Sequence, residues 1–154
     1  MKNLPITHNL GFLLPCFFLF YACSHQISSF TAFQEIDKKG WQRTFEPSCE
    51  VALDDSLTLY HIDITGRLRY AYVPDSLSLS VQVTAPSGIS FCDTVSFAVA
   101  HVRSHLWEDF RFPYCSHVRF LETGLWRFSF DHNMGAETLK GVMFVGVSIH
   151  KEEP

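Results

Sequence analysis

Leu77-Ser78-Leu79-Ser80-Val81-Gln82-Val83-Thr84-Ala85-Pro86-Ser87-Gly88 alternates apolar and polar side chains for nine residues and then breaks. A period of two puts every second side chain on the same side of an extended chain, so the stretch predicts a strand with one buried and one wetted face. Ala85-Pro86-Ser87-Gly88 supplies the turn, because Pro presets φ and Gly accepts positive φ. The apolar residues resume at Phe91, Val95, Phe97 and Val99, which predicts a β-hairpin.

Working outward, period two recurs. Leu57 to Ile64 and Leu68 to Tyr72 predict two strands flanking Thr65-Gly66, with a bulge where the apolar parity slips near Leu59 and Tyr60. Val118 to Leu121, Leu125 to Phe130 and Val142 to Ile149 predict three more, and the polar segment around His132 to Lys140 is the one place for a helical turn. The expected fold is all-β: an antiparallel β-sandwich of jelly-roll or immunoglobulin-like type with about 7–9 strands.

The N-terminus is different in kind. Lys2 precedes an apolar run from Leu10 to Phe20 that is interrupted by Pro15 and shorter than the roughly 20 residues of a spanning helix. Phe20-Tyr21-Ala22-Cys23 then looks like a lipobox, with small Ala22 before the cysteine, although Phe20 and Tyr21 stand where Leu and a small residue are usual. Residues 1–22 are therefore expected to be a lipoprotein signal peptide and Cys23 the acylated first residue. An ordinary secretory signal or an uncleaved anchor are the alternatives; Cys16, preceded by Leu14-Pro15, lacks a small residue at the cut. Residues 23–40, rich in Ser, Gln, Thr and Lys, read as the acylated Cys and a polar tether, and 41–151 as the sandwich.

Cleavage after Ala22 would remove Lys2 and change the formal charge from −4 to −5. That acidity, with no basic run or phosphate-cradling Gly loop, argues against nucleic acid. Cys49, Cys92 and Cys115 remain in the body; single thiols are expected, with one disulfide among them as the alternative.

Catalytic chemistry finds little purchase. Ser104, Ser116 and Ser129 sit in no Gly-x-Ser-x-Gly elbow, and the acidic residues show no two-carboxylate spacing. A hydrolase would need Glu108, Asp109 and Asp131 to converge in three dimensions. His101 and His105 could share a metal on a helix, but on a strand they would stand roughly 13 Å apart, so no metal and no cofactor is expected. Trp107-Glu108-Asp109-Phe110-Arg111-Phe112-Pro113-Tyr114 lacks clear alternation and reads as a candidate exposed loop whose Trp107, Phe110, Phe112 and Tyr114 could meet a partner, although for Trp107 itself core packing is the expectation.

The C-terminal third carries a resemblance. Gly124-Leu125-Trp126-Arg127-Phe128-Ser129-Phe130-Asp131-His132-Asn133-Met134, Leu139-Lys140-Gly141-Val142 and Val145-Gly146-Val147-Ser148-Ile149 resemble the closing strands of the gliding motility lipoprotein GldH family of Bacteroidetes. Ile62 to Tyr72, Pro74, Leu77, Leu79, Ala85 to Gly88 and Asp93-Thr94-Val95 are similar to its earlier strands and turn, and Trp41 and Phe45 to the Trp and Phe after its linker. Gly135 departs from the family's usual Arg, and 101–115 lacks its Gly-rich acidic loop. The resemblance implies a non-enzymatic accessory or scaffold lipoprotein, held to the membrane by its lipid anchor and facing the periplasm. Its implied partners are envelope proteins of the gliding machinery or of the associated secretion of surface adhesins. A glycan- or peptide-binding sandwich is the alternative reading of the same fold.

Overall fold

The computed structural model describes residues 29–99 and 106–152. The expected signal segment, Cys16, Cys23 and the His101–His105 pair lie outside them. The strands are β1 (Ser29–Glu35), β2 (Trp41–Gln42), β3 (Ser48–Leu53), β4 (Tyr60–Arg69), β5 (Ser76–Thr84), β6 (Ser90–Ala98), β7 (Trp107–Val118), β8 (Gly124–His132), β9 (Thr138–Leu139) and β10 (Val142–Lys151). Eight of them form two four-stranded antiparallel sheets, a first in the order β1-β10-β4-β7 and a second in the order β3-β8-β5-β6. The two-residue strands β2 and β9 pair with each other.

The pairs are nested. β5 pairs with β6, β4 with β7 around them, β3 with β8, and the first strand with the last. One long antiparallel hairpin folded over on itself gives this order, so the sandwich is a jelly roll and not immunoglobulin-like.

Period two decides what lies between the sheets. Leu77, Leu79 and Val81 of β5, with Phe128 and Phe130 of β8, face Ile62, Ile64, Val145, Val147 and Ile149 of the first sheet, all of them buried. The β5–β6 hairpin closes as expected: Ala85 N–H donates to the Ile89 carbonyl at 2.8 Å, and Gly88 takes a φ of 91°. Trp41 is fully buried and donates its indole N–H to the Phe45 carbonyl at 2.8 Å.

Four sequence expectations change. Residues 29–35 belong to the sandwich and not to the tether, because β1 adds to the edge of β10 with Phe30 and Ala32 turned toward the core. The two strands expected around Thr65-Gly66 are one: Gly66 makes no turn, and a Cβ there would overlap the Phe110 ring and the Phe144 carbonyl oxygen. The strand expected at 118–121 does not form: β7 stops at Val118, just after His117 with its φ of 58°, and 119–121 lie in the loop to β8. Residues 132–140 hold no helical turn, only the last residue of β8 and then β9.

Candidate functional site

The segment expected to be an aromatic loop is edge strand β7, and its alternation separates the four aromatics. Phe110 and Phe112 turn inward against Phe97 of β6, with ring centroids 5.2 and 4.7 Å away. Tyr114 also turns inward, while Asp109, Arg111 and Pro113 take the outer face. Pro113 is tolerated because an edge strand can spare one N–H. Of the four, only Trp107 is displayed, with 47% of its surface exposed.

Around Trp107 the outer face of the first sheet carries a row that crosses all four strands. Phe33 of β1 packs on Phe144 of β10 at 4.9 Å. The Arg67 guanidinium of β4 lies between the rings of Phe144 and Trp107, 5.4 and 5.6 Å from their centroids, where ring faces attract a cation. Arg67 also grips Asp109 with two N–H groups, Nη2 donating to Oδ2 at 2.9 Å, and this hydrogen bonding holds the Asp109 carboxyl below its ordinary range. Beside the row, Phe33, Phe144, Arg67, Arg69, Lys38 and Lys39 line a shallow groove of about 730 Å³. Tyr70, Val73 and Leu106 are exposed at the same end of the sandwich.

At the opposite end the sheets part into an apolar cleft of about 370 Å³. Ile62 and Tyr114 wall one side, Val83 and Phe91 the other, and Phe120 and Trp126 pack edge to face within it at 4.8 Å. The Trp126 indole donates to the Glu122 carbonyl at 3.0 Å, and the Glu122 carboxylate accepts from Ser87 N–H and Oγ at 2.9 and 2.7 Å, so the β5–β6 turn and the 119–123 loop are clipped together. Burial pushes the Tyr114 phenol up to about 12 and raises the neighbouring Cys115 thiol. A cleft lined this way suits apolar atoms and does not activate a nucleophile.

The remaining candidates are scattered. Asp131 lies on the outer face of the second sheet and Asp109 on that of the first, so the carboxylates a hydrolase would need do not meet. Cys49, Cys92 and Cys115 are all free thiols; Cys49 is buried and raised to about 11 by desolvation, whereas Cys92 is exposed. Glu152 gathers His61 and His117, with Nε2 to Oε1 distances of 3.0 and 3.7 Å, yet among the described residues no group of three could hold a metal ion.

Phe33, Arg67 and Phe144 escaped the sequence reading. The sequence marks two of them only as breaks in alternation, Phe33 out of phase with Phe30 and Phe144 with Val145 and Val147, and it offers no signal for Arg67.

Such residues define an antiparallel jelly-roll domain with a cation-bearing aromatic row at one end and an apolar cleft at the other. Its family follows from its sequence: a model described as GldH lipoprotein matches residues 28–149, and the chain belongs to that family. No curated protein matches it. Among solved structures it is similar to the K1 cleaved adhesin domain of Lys-gingipain from Porphyromonas gingivalis W83, at 11% identity and a TM-score of 0.30, over 79% of this chain and 70% of that one.

Proposed function

We propose that this lipoprotein is a non-enzymatic accessory or scaffold component of the cell envelope, associated with gliding motility, held by an acylated Cys23 and facing the periplasm. The observation that carries this reading is the family match across 28–149, which spans nearly the whole described sandwich. An acyl anchor contributes about 0.8 kcal/mol per buried CH₂, so several chains on Cys23 would hold the domain firmly. The dispersed carboxylates and unactivated thiols favour a protein that binds over one that transforms a substrate. Among the four aromatics first considered, Trp107 is the partner contact retained, together with Phe33, Arg67 and Phe144.

The test is a pull-down of the full chain beside Cys23→Ala and Trp107→Ala, with mass spectrometry of the N-terminus and a globomycin-type block of lipoprotein signal peptidase. Envelope-machine partners captured by the wild type and depleted by Trp107→Ala support the reading. A wild-type N-terminus beyond residue 23 without acyl groups defeats the anchor, and partners unchanged in both variants defeat the scaffold surface.

The aromatic row also favours a second reading, capture of a glycan or extended peptide on the outer face of the first sheet. The second sheet is less suited, because Ser78, Ser80 and Gln82 leave its outer face short and polar. Saturable binding of envelope glycan fragments, lost in Trp107→Ala, would select this reading over the scaffold.

A further inference from the structure

Exposed apolar side chains gather at the cleft end of the sandwich on three separate connections. Leu57 is in the β3–β4 loop, Ile89 and Phe91 border the β5–β6 turn, and Leu121 is in the β7–β8 loop; they are 81%, 57%, 62% and 81% exposed. Water gains nothing from holding such residues at loop tips, and four from three connections on one end form a patch of the kind that meets another apolar phase.

The chain enters the sandwich at this same end. Ser29 lies opposite His150, His150 opposite His61, and Tyr60 opposite Val118, so the start of β1 is level with the cleft. Only residues 24–28 separate Ser29 from Cys23, a reach of roughly 20 Å even if fully extended. Ser29 is level with His61, eight residues or roughly 26 Å along β4 from Arg69 and its partner Trp107, so the cleft end is tethered closest to the anchor and Trp107 lies beyond its reach.

From this geometry we infer that the cleft end is a lipid-contacting surface: Leu57, Ile89, Phe91 and Leu121 enter the interface of the bilayer that holds Cys23. The domain then stands upright, with the Phe33–Phe144–Arg67–Trp107 row turned away from the membrane toward partners. This rests on the reading that Cys23 is acylated. The contact is apolar and not electrostatic. Arg119 and Lys151 are outnumbered at this end by Asp54, Asp55, Glu122 and Glu152, and the last three carboxylates are engaged with Thr58, Ser87 and His61 respectively. A surface of this kind does not select anionic headgroups.

The test uses the full acylated chain in vesicles of phosphatidylcholine and of phosphatidylethanolamine with phosphatidylglycerol. An environment-sensitive fluorophore is placed by Leu121→Cys or, at the opposite end, Val73→Cys, each in a Cys92→Ser background. Both sites are exposed, so neither change threatens the fold. Nitroxide-labelled lipid should quench the Leu121→Cys probe about two-fold or more and leave the Val73→Cys probe unchanged, equally in both lipid mixtures and at raised salt. Flotation with the vesicles but no quenching at Leu121→Cys, or equal quenching at both positions, overturns the inference while leaving the anchor intact. A dimer in detergent that Leu121→Asp dissociates also overturns it, by assigning this end to a second copy. Wild-type protein that fails to float and carries an unmodified Cys23 brings down the anchor reading and this one with it.

Discussion

Single residues in this domain are held by quite different forces, and they should fail differently. Asp55 accepts hydrogen bonds from the Thr58 hydroxyl and from the Leu57 and Thr58 N–H groups, which lower its carboxyl from 3.8 to about 2. A carboxyl depressed on folding contributes stability above its ordinary pKa and loses it as pH falls through the folded value. Asp55→Ala should therefore be less stable than wild type at neutral pH, with the gap narrowing as pH falls from about 4 to about 2; thermal melts across that range measure it. Gly66 is held by space alone. Gly66→Ala forces a methyl into the Phe110 ring and should cost about 1–3 kcal/mol in urea unfolding, far more than a surface change. The thiols divide by access: at mildly alkaline pH Cys92 should react with a thiol reagent in the native protein and Cys49 only after unfolding, counted by mass spectrometry.

At the scale of the element, β7 gives the sharpest contrast between neighbours. Phe112→Ala removes a ring stacked on Phe97 between the sheets and should cost about 3 kcal/mol, while Trp107→Ala, on the outer face, should cost less than about 1 kcal/mol; denaturant midpoints separate them. The same strand shows what could be read from sequence. Asp109 to Tyr114 does alternate, but charged residues and Pro113 fill the outer positions, a pattern that imitates a loop until the strand is known to lie at a sheet edge. β5 was legible because Ser and Gln leave no doubt about which face is wet. β1 was not, because Phe30 and Phe33, three residues apart, must point to opposite sides, and the outer Phe33 is explained only by Phe144 more than a hundred residues away. Gly66 misled for a similar reason: its role is set by the Phe110 ring of a strand distant in sequence. The aromatic row and the cleft are both assembled across strands that local pattern cannot bring together.

For the molecule as a whole, the nested order makes the outermost pair the most exposed weakness. β1 covers one edge of β10, whose Val145, Val147 and Ile149 are buried. Deleting residues up to 35 would bare that edge as a template for intermolecular pairing, and the truncated chain should run as aggregates in size-exclusion chromatography where the full chain does not. The position of β10 has a further meaning in time. It is the last strand among the described residues, yet it lies between β1 and β4 and bonds to both. The first sheet thus cannot assemble before β10 is free to pair, and contacts of such long sequence separation form slowly. A sheet wired this way stays loose through most of the chain's synthesis and sets only when the residues of β10 arrive beside those of β1 and β4.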